Sequence, residues 1–209
     1  MPHRDAAAAK RVDAAGLVRF FEEAAAKRPD ADWRIVCIGT DRSTGDSLGP
    51  WVGTFLRELG VRGVIGTLEH PCDAERLPRV AESLAREGAP VIAVDACLGR
   101  QEAVGAYLAA EGPLTPARSV GRAFAPIGDL SVAAVVNAAG PKPYWTLQST
   151  SLYRVIGMAR AIADAIAASG IVRAGRAAGS GADPVRAALG RLGANGSEGD
   201  SAARTRTGL

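Results

Sequence analysis

The run VIAVDA at residues 91–96 constrains the fold more than any other part of the chain. It is almost continuously apolar, which is typical of a central parallel strand buried on both faces. It also contains Asp95, and a carboxylate is costly to bury unless it has a partner or a purpose. These residues predict a parallel sheet with an acid at the carboxyl end of a central strand.

Strand and helix patterns alternate along most of the chain. Predicted strands span 34–39, 64–68, 91–96, 103–108 and 132–137. Predicted helices span 12–28, a segment beginning at Pro50, 75–87, and a segment from Ser149 or Thr150 to 168, with Leu152 and Val155 inward. The alternation predicts an α/β fold whose mostly parallel sheet is covered on both faces.

Length and composition predict one folded domain with two dissimilar ends. A chain of 209 residues can bury one good core and hardly two. We expect the domain at 12–170, after a flexible N-terminus at 1–11. Residues 171–209 are rich in Ala, Gly and Arg and poor in large apolar groups, so a disordered tail is expected there.

Charge and hydropathy argue against two classes of partner. Residues 173–209 hold six Arg and three acids, which accounts for the net charge of +3. The basic character therefore forms no patterned face, and nucleic acid is not an expected partner. No apolar stretch approaches the roughly 20 residues of a membrane span, and residues 1–11 lack a signal-peptide core, so a cytoplasmic protein without a membrane partner is expected.

The number and spacing of the cysteines also favour a cytoplasmic protein. Cys37, Cys72 and Cys97 are odd in number and have no paired spacing. They are predicted to be small buried side chains in a reducing cytoplasm rather than disulfide or metal positions.

Three aspartates lie at or after the ends of two strands that are expected to be neighbours. Asp41 and Asp46 follow the first predicted strand, and Asp95 lies in the third. In open α/β sheets, sites form beyond the carboxyl ends of strands, so Asp46 and Asp95 are expected to face one crevice. Asp41 is predicted to be a loop or cap residue.

A close pair of carboxylates supports two kinds of chemistry. One proton shared between them gives an acid and a base at neutral pH. The same two side chains, Asp46 and Asp95, are instead the expected ligands if a divalent metal is bound. They are the predicted catalytic residues in either case.

Other polar and aromatic residues are expected around this crevice. His70 follows the second strand, Asp129 precedes the fifth, and Lys142 with Tyr144 and Trp145 is expected to shape the pocket. A lone histidine is more often structural than catalytic, although a metal or proton role stays open for His70.

Familiar catalytic motifs are absent. The loop after the first strand ends in neither Gly-Lys-Ser nor Gly-Lys-Thr, and the chain has no G-x-G-x-x-G. The string Gly45–Leu48 resembles the GDSL esterases, but their serine needs a late histidine. The chain has only His3 and His70, so a serine triad is not expected.

Several segments together resemble the sporulation protein YyaC family. They are IGTDRSTGDSLGPWVGTFL, GTLEHPCDAERL, VIAVDACLG, VGAYLAAEGPLTP, PIGDLSVAAVVN and LQSTSLYRVIGMARAI. That family is similar to the germination protease of spores and, more distantly, to the hydrogenase maturation proteases. The resemblance covers about residues 34–168 and implies a three-layer α/β/α fold with a mostly parallel central sheet.

The resemblance also implies residue roles. Asp46 and Asp95 match the two acids of the germination protease, which is thought to be of the aspartic type. They also match the acidic positions that, with a later histidine, hold nickel in the maturation proteases. This chain has no histidine after position 70, so the nickel pattern does not carry over.

These observations predict a spore-associated peptidase that cleaves a protein or peptide substrate in the cytoplasm of the sporulating cell or forespore. No cofactor is required, although a divalent metal is possible, and the oligomeric state is open. Amides near Gly45–Gly49 and the helix at Pro50 are expected to stabilise an oxyanion. Expected substrate-binding residues are Asp41, Ser43, Gly45, Ser47, His70 and Asp129.

Two alternatives stay open. One is a non-catalytic sporulation factor that binds a peptide or partner protein in the same crevice. The other is a metal-dependent hydrolase of small molecules, which the fold would allow.

Overall fold

A six-stranded sheet forms the centre of the computed structural model, which describes residues 9–116 and 124–172. The strands, in chain order, are β1 Lys10–Val12, β2 Arg34–Cys37, β3 Val64–Ile65, β4 Val91–Gly99, β5 Tyr107–Glu111 and β6 Leu130–Ala138. Their order across the sheet is β1-β5-β6-β4-β2-β3. The neighbours among β6, β4, β2 and β3 pair in parallel, whereas β5 and β1 add antiparallel at one edge.

Helices cover both faces of this sheet, which confirms the three-layer α/β/α fold. They are α1 Ala14–Lys27, α2 Leu48–Glu58, α3 Leu77–Glu87, α4 Pro143–Gln148 and α5 Leu152–Ala168. Ile92 and Val94 of β4 share a buried cluster with α1, α2 and α5. Val91 and Ala93 point to the opposite face and pack with α3. The expected pairing of the first and third predicted strands is also confirmed, because β2 lies beside β4.

The first helix shows how local sequence sets the element boundaries. Asp13 caps α1 by accepting a hydrogen bond from the Gly16 amide at 2.8 Å. Leu17 and Phe21, one turn apart, are completely buried against the sheet. Each such side chain contributes about 1.5–3 kcal/mol through removal of apolar surface from water. Pro29 follows shortly after the helix ends at Lys27.

Two glycines let α2 lie unusually close to the sheet. A Cβ on Gly49 would stand 2.0 Å from the Ile38 carbonyl oxygen, and one on Gly53 would stand 1.8 Å from that of Gly66. Both contacts are with backbone atoms, which do not move aside easily. Glycine at these positions therefore allows the helix backbone to approach the ends of β2 and β3.

Both ends of the predicted domain differ from expectation. Lys10 and Arg11, expected in the flexible N-terminus, pair with β5 because that edge strand offers free backbone groups. Ile171, expected in the tail, is buried in the main core. Val172, also expected in the tail, is partly buried against the same core. The remaining residues of the predicted tail, 173–209, and the flexible N-terminus up to residue 8 lie outside the described residues.

Some predicted elements shift for identifiable reasons. β3 ends at Ile65 rather than at residue 68, because Gly66 adopts a φ of 93°. β5 begins at Tyr107, after a short 3-10 helix and Gly105 take up the first part of the predicted strand. Leu152, expected to point inward, is exposed, because α5 first meets the core at Val155.

The sequence did not predict α4 at all.

None of the helices in the described part of the chain is long and apolar enough to cross a membrane.

Candidate functional site

A cavity of about 120 Å³ lies at the carboxyl ends of β2 and β4, on the face of the sheet that α3 covers. Three acids line it, and most of the other lining residues are apolar. The lining residues are Ile38, Gly39, Thr40, Asp46, Asp73, Ala74, Leu77, Asp95, Ala96, Pro116 and Phe124. The space holds several water molecules or one small side chain.

Asp95 reaches this cavity because of its position in β4. Side chains alternate along a strand, so Asp95 shares the α3 face with Val91 and Ala93. The amide of Ala96 donates a hydrogen bond to the Asp95 carboxylate at 2.8 Å. The strand therefore presents a carboxylate from a rigid element with one oxygen already oriented.

Asp46 comes from the loop between β2 and α2. Gly39, which follows β2 and has a φ of 144°, passes directly beneath this part of the loop. The Thr40 amide donates to the backbone oxygen of Asp46 at 3.2 Å. The start of the loop is thereby tied to its end, and the Asp46 side chain is held over the same cavity as that of Asp95.

The environment of Asp46 raises the pKa of its carboxyl. Burial raises the pKa of the carboxyl, and the Ser43 hydroxyl opposes this by lowering it. The Ser43 hydroxyl is buried and makes no hydrogen bond of regular geometry within the described residues. Burial is the stronger of the two effects, so the pKa of Asp46 lies above its ordinary value.

The loop amides have other partners. The Gly45 amide donates to the Leu147 carbonyl at 2.8 Å, which fastens the loop to α4. The Ser47 amide donates to Ser43 at 2.9 Å, and the Leu48 amide donates to Gly45 at 3.4 Å. These three donors are engaged within the chain, so the oxyanion role expected for them does not fit the structure.

Asp73 is the third acid of the cavity and was not predicted from the sequence. Its Oδ1 accepts from the amides of Glu75 and Arg76, both at 3.1 Å, in the turn that leads into α3. Its Oδ2 accepts from the Arg42 guanidinium at 3.0 Å. The useful signal was an aspartate four residues before α3 begins at Leu77, after a strand that neighbours β2.

Asp129 lies elsewhere. It immediately precedes β6, and its carboxylate accepts from the Val91 amide at 2.9 Å, at the first residue of β4. Both strands begin at that edge, which is opposite to the cavity. The crevice position expected for Asp129 is corrected accordingly, since an acid before a parallel strand lies at its amino end.

The other expected site residues do not line the cavity either. Those from the loop and from the segment after β3 are Asp41, Ser43, Gly45, Ser47 and His70. The His70 side chain is exposed, with Nε2 at 3.9 Å from a carboxylate oxygen of Glu69. Lys142, Tyr144 and Trp145, expected to shape the pocket, lie on or beside α4 with exposed side chains.

The cysteines near the cavity carry protonated thiols. Burial is the main cause that raises the pKa of Cys72 to about 11 and that of Cys97 to about 12, and the Asp95 charge adds to both. Burial also raises the pKa of Cys37. A thiolate nucleophile is therefore disfavoured at neutral pH.

The described side chains supply few ligands for a metal ion. Within residues 9–116 and 124–172, no three side chains of His, Cys, Asp or Glu come together in a way that could hold a metal ion. Two carboxylates alone make a poor protein cage for most divalent ions, which take several oxygen or nitrogen ligands.

Comparisons with known proteins agree with this fold. The chain matches a family described as "Protein of unknown function (DUF1256)" over residues 7–165. It is 39% identical over 168 residues to the protein YyaC of Bacillus subtilis (strain 168), an alignment that covers 78% of this chain and 80% of that protein.

A solved structure, the NiFe hydrogenase maturation protease HycI from Thermococcus kodakarensis KOD1, is similar in fold. It covers 71% of this chain and 96% of its own, with a TM-score of 0.50 and 20% identity.

Proposed function

The chain belongs to the DUF1256 protein family, and we propose that it is a peptidase that cleaves a protein substrate with Asp46 and Asp95. The observation that carries this proposal is that both carboxylates line one small, largely apolar cavity. The structural likeness to a maturation protease adds support at the level of the fold.

The different settings of the two acids suggest their roles. Burial raises the pKa of Asp46, so we assign this carboxyl the proton, which it donates to the carbonyl oxygen of a bound peptide. Asp95 is assigned the base role, since the Ala96 amide supports its charged form by donating to it. In this proposal one carboxyl acts as the acid and the other as the base, as general acid–base catalysis requires.

The reaction then follows in two steps. Asp95 accepts a proton from a water molecule as the water oxygen bonds to the peptide carbon, and Asp46 gives its proton to the carbonyl oxygen. In the second step, Asp95 gives its proton to the leaving nitrogen as the carbon–nitrogen bond breaks. Asp46 takes back the proton from the collapsing hydroxyl, so that both carboxyls return to their starting states.

The biological setting is part of the same proposal. The resemblance of the sequence motifs to the sporulation protein YyaC family supports a role in sporulation, and the 39% identity to YyaC supports that resemblance. We place the protein in the cytoplasm of the sporulating cell or forespore, acting on a protein without a required cofactor.

Asparagine variants test the mechanism. Purified protein is incubated with small acid-soluble spore proteins, and new termini are identified by mass spectrometry. Asp46→Asn and Asp95→Asn are each expected to reduce cleavage by at least about 10²-fold, because each removes a proton-transfer step. Asp41→Asn is the matched control, because Asp41 is exposed on the same loop and does not line the cavity.

The remaining outcomes separate the alternatives. Cleavage that survives a chelator supports the two-acid mechanism, whereas its loss on chelation supports metal-assisted hydrolysis. Undiminished cleavage by both asparagine variants would exclude the mechanism.

A second function, binding without cleavage, is favoured by the charges of the cavity. Asp46, Asp73 and Asp95 line it, and Arg42 is paired with one of them. Such a cavity suits a cationic group of a partner. A saturable complex with a spore protein that stays intact, lost in Asp95→Asn, would support binding over catalysis.

A further inference from the structure

The exposed aromatic side chains of this molecule are concentrated in one short segment. Among the described residues, the large hydrophobic side chains that are exposed are Leu59 and four in the segment 144–153. The four are Tyr144 at 56%, Trp145 at 64%, Leu152 at 51% and Tyr153 at 91% exposed, and we call them the aromatic patch. Clusters of exposed apolar groups mark interaction sites, whereas single ones do not.

The aromatic patch is carried on a well-anchored support. Leu147, on the inner side of α4, is buried and accepts a hydrogen bond from the Gly45 amide. Asn137 Nδ2 donates to the Thr146 carbonyl at 3.3 Å and to the Thr150 hydroxyl at 3.2 Å, which ties α4 to the end of β6. The backbone that carries Tyr144 and Trp145 is therefore fixed to the rest of the domain, so less conformational entropy is lost when a partner binds there.

The charges carried by the segment that holds the patch have one sign. The chain carries no acidic residue from Leu130 to Ala163, while Lys142 and Arg154 flank the four side chains. Both cations are exposed. Arg154 uses one nitrogen to donate to the Val136 carbonyl at 3.3 Å, which leaves most of its donors available.

A third cation in this segment is already engaged. The guanidinium of Arg160 stacks on the Phe55 ring at 3.6 Å and lies 4.0 Å from a Glu58 oxygen. The patch thus offers two cations, which is few for tracking a phosphate backbone. Aromatic anchors flanked by a small positive charge fit a polypeptide with apolar and acidic side chains better.

We propose that the aromatic patch, with Lys142 and Arg154, is a docking surface for an acidic protein segment that anchors through leucine or aromatic side chains. Apolar side chains of the segment pack on Trp145 and Tyr153, and its carboxylates pair with the two cations. This surface is separate from the cavity of Asp46 and Asp95, since none of its residues lines that cavity. The proposal does not depend on peptide cleavage.

Binding is tested by fluorescence anisotropy with a labelled short peptide in which glutamates alternate with leucine and phenylalanine. The protein carries Asp46→Asn and Asp95→Asn, so that no cleavage can complicate the measurement. The expected result is saturable binding that weakens roughly tenfold in Trp145→Ala/Tyr153→Ala. Leu59→Ala, which removes an exposed leucine outside the patch, is the matched control and should bind as the parent does.

Charge is tested separately. Lys142→Glu/Arg154→Glu is expected to lose the glutamate peptide and to gain affinity for the same peptide with lysines in place of the glutamates. Thermal unfolding of the patch variants and of Leu59→Ala should match that of the Asp46→Asn/Asp95→Asn parent, because the side chains altered on that background are exposed.

Three outcomes of the peptide measurements would overturn the proposal. They are equal binding by the Trp145→Ala/Tyr153→Ala variant, equal affinity of the parent protein for the lysine peptide, and absence of saturable binding. Tighter binding of a thymidine oligonucleotide than of the glutamate peptide would also overturn it, in favour of a nucleic-acid surface.

Discussion

The backbone oxygen of Asp46 lies so close to Gly39 that a Cβ on this glycine would stand 1.9 Å from it. The same oxygen accepts a hydrogen bond from the Thr40 amide. The position of an acid in the cavity thus depends directly on the absence of a side chain at the end of β2.

Replacement of Gly39 should therefore damage both stability and the site. Gly39→Ala forces a strained φ and a clash with backbone, and we expect a loss of about 2–4 kcal/mol in the free energy of unfolding. Gly157→Ala is the matched control, because a Cβ there meets no atom within 4 Å. It should stabilise α5 by up to about 1 kcal/mol. Urea unfolding of both variants checks this, and a neutral Gly39→Ala would contradict the packing described.

The raised pKa of Asp46 predicts a pH dependence of stability. A carboxyl whose pKa is higher in the folded state binds a proton more tightly there than in the unfolded chain. Its contribution to the free energy of unfolding therefore falls as pH rises through the unfolded and then the folded pKa.

Asp46→Asn removes this titration. Relative to the parent protein, the variant should gain stability on going from pH 3 to pH 7, when the two are compared by urea unfolding at each pH. A difference in stability that does not change with pH would show that burial does not perturb this carboxyl.

Asp73 has two structural roles that substitutions can separate. Asp73→Ala removes the acceptor for two amides before α3 and should cost about 1–2 kcal/mol. Asp73→Asn retains a side-chain oxygen and should cost less. Arg42→Ala breaks the ion pair and the hydrogen bond from Arg42 Nε to the Thr40 hydroxyl at 3.2 Å. Because the Arg42 side chain is 74% exposed, the effect should stay below about 0.5 kcal/mol. Thermal or urea unfolding of the three variants gives this ranking, and a larger loss in Arg42→Ala than in Asp73→Ala would reverse the assignment.

The thiols should be unreactive in the folded protein. Because the pKa values of Cys72 and Cys97 are raised to about 11 and about 12, little thiolate exists at pH 7.5. Labelling with a thiol-specific disulfide reagent should be slow in the native state and rapid for all three cysteines in urea. A single thiol that reacts at once in the native protein, with loss of peptidase activity, would instead indicate a cysteine nucleophile.

The central part of the fold could be predicted because its signals are local. A strand buried on both faces must be apolar throughout, and this identified β4 and singled out Asp95. The pairing of β2 with β4 followed from the usual order of such sheets, and it brings Asp46 and Asp95 to one edge.

The features that were misplaced or missed could not be predicted from local sequence patterns. Asp129 was assigned to the crevice although it precedes its strand, and only the parallel direction of β6 and β4 places it at the opposite edge. To predict that Asp73 lines the cavity, one would have to know the positions of the short β3 and of the turn after it. The geometry of that turn depends on Gly66. Helix α4 has six residues and begins at a proline, so it shows too little periodicity to be predicted.

The small strand β1 also has a consequence for self-association of the protein. Lys10–Val12 covers the outer side of β5, and this outermost strand carries Lys10 and Arg11. At the other edge, β3 has only two residues. Short and charged borders of this kind discourage a second molecule from adding its own strand. A truncated protein that begins at Asp13 would expose the outer backbone N–H and C=O groups of Tyr107–Glu111. These groups would then offer a template for amyloid-like stacking.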